Sequence, residues 1–389
     1  KPRMKPWAAA AIKAVGMTKT LNLQYQKSHC NWIRENEPDI WAKTKKYVLL
    51  STYLNYRLTG RMADSTASIV GYLPYDFKNR RWKKANDLVR PVFDIPDEMM
   101  CELIPPGAYI GSLTKEAAED LGLSSKLKLI ATGTDKACEV LGLGCVSKKR
   151  AVFSFGTTAT VTFTTGEYLE PETFIPPYDA ILPGHFNPEI EIFRGYWLIS
   201  WFKKEFAQKE VMEAIETKVQ PEELLNKRLK EVPAGCQGLL LQPYFTPNLT
   251  MPEAKGSVIE LSDVHTRIHL YRAIIEGINF ALMDGMRHME KRGNFRFEEI
   301  RVGGGGAQSS EICQITADMF GLPVVRTQTY EVSGIGSAIP AFVTLGVFDD
   351  YKEAISHMVH KKEVFKPDKR QPPENLSSSQ ELLTKLSVP

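Results

Sequence analysis

Apolar positions recur at helical spacing through much of the first part of the chain. Residues 8–57 are predicted to be mostly helical, and Gly60 stands where a glycine commonly ends a helix. Thr114 predicts the capped start of a further helix. The segment LKLIATGTD (127–135) predicts a buried strand that runs into a small-residue turn, and a helix follows as far as Gly144.

The pattern changes character near residue 148. RAVFSFGTTATVTFTT (150–165) consists of two β-rich runs around Gly-Thr-Thr, which predicts a hairpin, and a proline-rich loop covers 167–186. Later segments predict an aromatic helix (194–208), a strand (238–245) and the longest helix (267–292). Residues 298–321 predict a strand, a glycine turn and a helix, and 333–348 predict a helix rich in small residues.

Alternation of strands and helices predicts the α/β class. The shift near residue 148 predicts a domain boundary, with one domain over 1–147 and another over 148–367. Residues 368–389 are expected to form a polar tail that is mobile or loosely docked.

Composition agrees with two globular domains in a chain of 389 residues, 43% hydrophobic and 24% charged. The net charge of +3 comes from 49 basic and 46 acidic residues without a dominant block of one sign, so no nucleic-acid or membrane partner is expected. The six scattered cysteines lack zinc-ligand spacing and predict buried thiols in a reducing compartment. No apolar run approaches the roughly 20 residues of a membrane span. The expected location is the cytoplasm.

Asp135 is the first candidate for chemistry, in the stretch GTDKACEVLGLG. It precedes an apolar, helix-like run, so its carboxylate could cap that helix. It could equally act as a base toward a substrate hydroxyl. The stretch alone leaves both interpretations open.

Two small-residue turns are further candidates. Gly156, Thr157 and Thr158 at the tip of the predicted hairpin could form an anion-binding nest, or an ordinary β-turn whose threonines favour strands. The Gly303–Ala307 turn could let its backbone approach a ligand, or could simply pack tightly. It fits neither the dinucleotide nor the P-loop pattern.

Asp64 lies in a predicted polar turn and carries no functional signal alone. The histidines near the longest helix lack a carboxylate–histidine motif, so metal ligation is not expected of them.

The order of these segments resembles the FGGY carbohydrate kinases, such as xylulokinase, glycerol kinase and gluconate kinase. The resemblance runs from about Trp32 to Phe365 and is most specific in GTDKACEVLGLG, SFGTTATV, HLYRAIIEGI and GGGAQSSEICQITADMFGLPV. It implies two actin-like, ribonuclease-H-like domains with a cleft between them, of which the first is incomplete here.

The resemblance also implies roles for the candidate residues. Asp135 corresponds to the catalytic base, which takes a proton from a sugar or polyol hydroxyl as ATP donates its γ-phosphate, with Mg²⁺ as cofactor and Asp135 as its candidate ligand. Gly156, Thr157 and Thr158 correspond to the phosphate-binding hairpin. The adenosine site is implied for Gly304, Gly305, Gly306 and Ala307, with Ser310 and Gln314 nearby. Lys136 and Asp64 fall on the sugar side. Relatives are often dimers, so a homodimer is a candidate assembly.

The sequence departs from the family in several places. Family members begin with a strand–turn–strand that carries Asp-x-Gly-Thr and binds phosphate and Mg²⁺, and this sequence shows no such segment. Either the sequence is a fragment, or upstream residues are omitted, or the gene product is degenerate. We therefore expect inefficient phosphorylation by residues 1–389 alone. Lys136 stands where relatives often carry Asn or Gln, so it could suit an acidic sugar or point to solvent.

Three functions remain open from the sequence. The leading one is an ATP-dependent sugar or polyol kinase with Asp135 as general base. The second is a catalytically silent actin-fold protein that binds nucleotide or sugar. The third, a hydrolytic ATPase of the actin kind, is disfavoured by the FGGY-like long helix and glycine-rich segment.

Overall fold

The computed structural model describes residues 2, 4–14, 16–173, 175–246 and 253–368. Apart from Asp368, the predicted polar tail lies outside these residues. The helices are α1 (Pro6–Ala14), α2 (Thr18–Lys27), α3 (His29–Asn36), α4 (Pro38–Lys43), α5 (Leu50–Thr59), α6 (Lys115–Leu121), α7 (Asp135–Gly142), α8 (Trp197–Phe206), α9 (Gln208–Thr217), α10 (Pro221–Lys227), α11 (Arg267–Gly293), α12 (Ser310–Phe320), α13 (Val332–Thr344) and α14 (Tyr351–Met358).

The strands alternate with these helices, which confirms the predicted α/β class. They are β1 (Ala63–Ser65), β2 (Tyr75–Asp76), β3 (Arg81–Trp82), β4 (Glu102–Ile104), β5 (Tyr109–Ser112), β6 (Lys128–Ile130), β7 (Arg150–Phe155), β8 (Ala159–Thr162), β9 (Tyr178–Asp179), β10 (Phe186–Asn187), β11 (Glu189–Ile192), β12 (Leu240–Gln242), β13 (Ser257–Ile259), β14 (Glu299–Gly303), β15 (Val324–Thr327) and β16 (Lys361–Phe365).

Helices dominate the N-terminal part, as the apolar spacing predicted. Gly60 ends α5 in the left-handed conformation, with φ of 75°, where a side chain would be strained. The Thr114 hydroxyl caps α6 by accepting a hydrogen bond from the Ala117 amide at 3.1 Å. The strands between residues 61 and 131 pair only two at a time, and β6 is half exposed rather than buried as predicted. Among the described residues β6 pairs with β5 alone, and Lys128 on β6 is exposed.

A six-stranded sheet forms the centre of the C-terminal part, in the order β11-β8-β7-β14-β15-β16. Strands β7 and β8 pair antiparallel around Gly-Thr-Thr, which confirms the predicted hairpin. Strand β14 runs parallel to both β7 and β15. The long α11 is buried over most of its length and shares its apolar core with β7 and β8, because its side chains cover one face of the sheet.

Helices α7 and α13 cross with their backbones in close contact. A Cβ at Gly336 would collide with the Cys138 carbonyl oxygen, and one at Gly142 with the Val332 carbonyl oxygen. The crossing therefore requires glycine on both helices, which explains the small residues predicted for 333–348. Ser333 Oγ also donates a hydrogen bond to the Asp135 carbonyl oxygen at 3.1 Å.

All six cysteines are buried and unpaired, as predicted. None of the helices in the described part of the chain combines the length and apolar character that a membrane crossing requires.

Candidate functional site

Asp135 is the first residue of α7 and is exposed. The helix cap belongs to Thr134, whose hydroxyl accepts a hydrogen bond from the Ala137 amide at 3.1 Å. The prediction that Asp135 could cap the helix is therefore wrong by one residue. Asp135 Oδ1 accepts a hydrogen bond from the Lys136 amide at 2.8 Å. Within the described residues, no protein group donates to its other oxygen, Oδ2.

The loop before Asp135 is fixed by its neighbours. Ser65 Oγ donates to the Thr132 carbonyl at 2.5 Å, and the Thr134 amide donates to the Ala67 carbonyl at 3.0 Å. A Cβ at Gly133 would lie 2.9 Å from Ile181 Cγ1, so no larger residue fits without rearrangement. The backbone that carries Asp135 is thus held on both sides.

Asp64 lies on strand β1, not in the predicted polar turn, and is buried. Its Oδ2 accepts hydrogen bonds from Ser51 Oγ at 2.5 Å and Thr52 Oγ1 at 2.6 Å, and its Oδ1 accepts one from the Ser65 amide at 2.8 Å. These bonds fix the segment that in turn holds Thr132. In the structure Asp64 therefore stabilises, through Ser65, the loop that precedes Asp135.

The predicted phosphate hairpin and the glycine turn lie against each other. Gly304 has φ of 81°, and a Cβ there would lie 2.9 Å from the Phe155 carbonyl carbon and 3.1 Å from the Gly156 nitrogen. Only glycine allows this approach. Gly156 and Thr157 turn their carbonyls toward the amides of Tyr196 and Trp197, and the Thr157 side chain is exposed.

The rest of the glycine turn combines open and closed positions. A Cβ at Gly305 would meet nothing within 4 Å, whereas one at Gly306 would press on Tyr196 and Phe155, and Ala307 is buried. Ser309 caps α12 by accepting from the Ile312 amide at 3.2 Å, so the exposed Ser310 begins the helix.

Gln314 lies one turn further along α12. Its Nε2 donates at 2.8 Å both to Asp318 Oδ1 and to the Lys366 carbonyl. Its amide is therefore tied to the C-terminal end of the described chain.

Arg326 on β15 supports the glycine turn and was not predicted. Its guanidinium donates to the carbonyls of Ala307 at 3.1 Å and Gln308 at 2.7 Å, and to Ser310 Oγ at 3.1 Å. It also pairs with Glu363 on the neighbouring strand. A lone arginine in a strand gives no sequence signal for such a role, because the contacts depend on how β15 pairs with β14 and β16.

Lys136 connects the Asp135 helix to the hairpin. Its Nζ lies 3.2 Å from Glu139 Oε2 and donates to Ser154 Oγ. A Cβ at Gly156 would lie 4.0 Å from the same Nζ. The side chain is 29% exposed, so the alternative in which Lys136 points to solvent is wrong. Its charge is instead directed at the sheet.

Two glutamates on β11, Glu189 and Glu191, also belong to this region and were not predicted. The register places Glu191 beside Thr160 on β8 and Thr160 beside Ser154 on β7. Because cross-strand partners share a face of the sheet, Glu191 and the Lys136-bound Ser154 lie on one face. The EIEIF pattern, with glutamates two apart on a strand, is the sequence signal that could have found them.

Burial raises the pKa of both glutamates. The pKa of Glu189 rises from its usual range to about 8, because the carboxyl group is desolvated and Glu191 repels its charge. Desolvation and the nearby Asp135 charge raise the pKa of Glu191, while Lys136 opposes the rise in both. Within the described residues, Glu189 Oε1 has no hydrogen-bond partner.

A cavity of about 570 Å³ opens beside these glutamates. Its lining comes from α1 and α2, from residues 71–93, from residues 168–178, and from β11 with Phe193. Aromatic side chains supply much of the lining, namely Tyr72, Tyr75, Phe77, Phe93, Tyr168, Tyr178 and Phe193. Its charged lining residues are Asp76, Lys83, Glu170, Glu172, Glu189 and Glu191. The cavity is therefore aromatic and predominantly acidic.

Comparison with known proteins gives two family matches. Residues 13–142 match the FGGY family of carbohydrate kinases, N-terminal domain, and residues 151–345 match the C-terminal domain of the same family.

Related sequences carry kinase names. The chain is 30% identical over 361 residues to "Uncharacterized sugar kinase YgcE" of Escherichia coli (strain K12), an alignment that covers 92% of this chain and 72% of the relative. It is 29% identical to the xylulose kinase of Lactococcus lactis subsp. lactis (strain IL1403), over 85% of this chain and 64% of that one. The chain thus spans between about three fifths and three quarters of the length of these relatives.

Solved structures share the fold. A ligand-bound xylulose kinase from Lactobacillus acidophilus superposes with a TM-score of 0.81 at 19% identity, covering 97% of this chain and 76% of that one. A gluconate kinase from Lactobacillus acidophilus gives a TM-score of 0.80 at 19% identity over the same shares of the two chains. These likenesses establish the two-domain actin-like fold expected from the sequence. The chain belongs to the FGGY family of carbohydrate kinases.

Proposed function

We propose that this protein transfers the γ-phosphoryl group of ATP to a hydroxyl of a small sugar or polyol. The observation that carries the proposal is the convergence of three elements. Asp135 is exposed at the start of α7, the adjacent Lys136 reaches the Gly156 turn, and Gly304 packs on that turn. The Asp135 carboxylate, the Gly156 turn and the glycine turn that contains Gly304 therefore lie next to one another.

In the proposed step, Asp135 Oδ2 accepts the proton of the acceptor hydroxyl. The hydroxyl oxygen forms a bond to the γ-phosphorus, and the bond from that phosphorus to the β,γ-bridging oxygen breaks, which leaves ADP. The transfer requires positioning and charge neutralisation more than covalent chemistry. The fixed loop of residues 132–134 supplies the positioning for Asp135, because both of its sides are held by hydrogen bonds.

The nucleotide is assigned to the two turns. The Gly156–Thr158 turn would hold phosphate oxygens with its amides and the exposed Thr157 hydroxyl, whereas the Thr158 hydroxyl donates to the Phe193 carbonyl at 3.3 Å. Adenosine would lie along 304–307, where Gly305 leaves open space, with Ser310 at the start of α12. Gln314 would act through the position of α12, since its amide is already bonded to Asp318 and Lys366.

Mg²⁺ would neutralise charge on the transferring phosphoryl group when bound. Asp135 is the exposed carboxylate proposed to face it. The part of the chain that the structure describes contains no group of three or more His, Cys, Asp or Glu side chains suited to a metal ion.

The test is ADP release with a panel of ketoses, polyols and sugar acids, measured on the product of the complete gene and in parallel on the 389-residue chain. ADP release that depends on one class of acceptor supports the proposal. Nucleotide binding without release on any acceptor would contradict it in favour of a silent binding protein. ADP release at the same rate without an acceptor would indicate a hydrolytic ATPase.

A further inference from the structure

The cavity beside β11 carries a net acidic lining. Five of its six charged lining residues are carboxylates, and the one lysine, Lys83, lies 3.5 Å from Asp87 outside that lining. Of the five carboxylates, Asp76 lies 3.8 Å from Arg81 and accepts a hydrogen bond from Asn79 at 2.7 Å. Among the five carboxylates, Glu189 and Glu191 are the two that lie on a strand of the central sheet.

These two glutamates connect the cavity with the sheet face that Lys136 contacts. Both line the cavity, and the strand register places Glu191 on the same sheet face as Ser154, to which Lys136 beside Asp135 donates. Glu189 is nine-tenths buried, and its Oε1 is a buried acceptor without a donor among the described residues. The cavity lining therefore includes two desolvated carboxyl groups on one face of β11.

Lys136 is not free to neutralise the charge of an anionic ligand in this cavity. Its ammonium group already contacts Glu139 and Ser154, and it lowers the pKa of both β11 glutamates. One lysine thus faces three carboxyl groups. The expectation that Lys136 could suit an acidic sugar conflicts with this arrangement, because a sugar carboxylate would add a further negative charge.

We infer that this cavity is the acceptor pocket and that Glu189 and Glu191 make it select neutral polyhydroxy compounds over sugar acids. The inference rests on the proposed kinase function. Carboxyl groups accept or donate hydrogen bonds to hydroxyls, and the aromatic walls provide apolar faces for the carbon chain. A carboxylate in the place of a terminal hydroxymethyl group would lose its hydration against this lining without gaining a free cationic partner, because Lys136 already contacts Glu139 and Ser154.

The test uses pairs that differ only at this group, xylitol with xylonate and glucitol with gluconate. Calorimetric binding is measured without ATP, and acceptor-dependent ADP release is measured separately. We expect each polyol to bind at least about tenfold more tightly than its aldonate, and Glu191→Gln to reduce that ratio several-fold. Glu189→Gln should act in the same direction. Glu167→Gln, an exposed carboxylate paired with Lys148 outside the cavity lining, should leave the ratio unchanged.

Aldonate binding equal to or tighter than polyol binding would overturn the inference, as would ratios that neither glutamine variant changes. Circular dichroism of each variant verifies that it is folded. Selective polyol binding without ADP release on any acceptor would leave the pocket assignment standing while contradicting the kinase step. ADP release with aldonates alone would support the kinase step and contradict the pocket assignment.

Discussion

At the scale of single residues, the site is built from acidic groups whose environments differ. Asp135 is exposed, whereas Asp64 is buried and bonded to three protein donors. Glu189 is buried with one oxygen unpartnered. Differences in solvent access and hydrogen bonding therefore suit the three carboxyl groups to different roles. Asp135 is the proposed base, Asp64 supports the structure, and Glu189 is proposed to contact a ligand.

Glu189 leads to a prediction about pH. Its pKa of about 8 in the folded chain lies above the usual value, so the folded state keeps a proton that the unfolded state loses between about pH 4.5 and 8. The free energy of unfolding should therefore fall as pH rises through this window, by up to a few kcal/mol. Glu189→Gln should flatten the decrease.

Denaturant unfolding between pH 6.5 and 8 measures this effect. The lower limit avoids Asp179, whose burial raises its pKa to about 6. The exposed Glu167→Gln serves as the control and should retain the wild-type slope. An unchanged slope in Glu189→Gln would show that Glu189 is ionised in the folded protein.

Single residues also show the limits of sequence reasoning. Asp135, Gly156 and Gly304 could be singled out because their neighbours in sequence define a turn and a helix start. The EIEIF pattern could have drawn attention to Glu189 but not to its role, and Arg326 gave no signal, because both roles arise from the strand register and from which strands neighbour β11 and β15. The cap fell on Thr134 instead of Asp135 because either residue type fits that position.

At the scale of elements, the glycine turn tests the nucleotide assignment. Gly305→Ala adds a methyl group where the protein leaves open space, so the free energy of unfolding should change by less than about 0.5 kcal/mol. If adenosine occupies that space, ATP affinity should fall by about tenfold, or 1.4 kcal/mol. Fluorescence titration with ATP measures this change.

Gly334→Ala provides the matched control, because its Cβ also meets nothing within 4 Å but lies on α13. Wild-type ATP affinity in Gly305→Ala would contradict the assignment of adenosine to this turn.

The crossing of α7 and α13 gives a second prediction for elements. Gly336→Ala would force a methyl group onto the Cys138 carbonyl, so it should lower the free energy of unfolding by about 1–3 kcal/mol. Gly334→Ala, two residues earlier on α13, should stabilise the protein slightly because alanine favours helix. Thermal and denaturant unfolding compare the two. Equal stability in both variants would mean that the helices cross further apart.

The elements themselves were largely predictable where local signals were strong. The hairpin, the long α11 and the strand–turn–helix of β14 and α12 follow the predicted order. The burial of each element was less predictable. Strand β6 contains apolar residues, but within the described residues it pairs with a single strand and stays half exposed. Apolar pattern indicates the type of element, whereas its depth depends on partners distant in sequence.

At the scale of the whole molecule, the N-terminal and C-terminal parts meet through polar contacts, of which the one between Tyr75 and Asp179 is buried. The Tyr75 hydroxyl donates to Asp179 Oδ2 at 2.7 Å, and Arg80 Nε lies 3.2 Å from Asp179 Oδ1. Ser333 bonds the Asp135 backbone and Thr344 Oγ1 donates to the Gly107 carbonyl at 2.7 Å. These contacts place the proposed base, the cavity and the two turns around one junction. Family membership could be predicted from the sequence, because the motifs follow one another in the order found in the family.

The central claim is that Asp135 acts as the general base, and turnover of Asp135→Asn tests it most directly. The variant should lose at least about a hundredfold in kcat for acceptor-dependent ADP release while ATP affinity and unfolding stay near wild type, since Thr134 still caps α7. Glu116→Gln, which changes a first-turn acid of α6, should retain wild-type kcat. An Asp135→Asn kcat within about threefold of wild type would contradict the account.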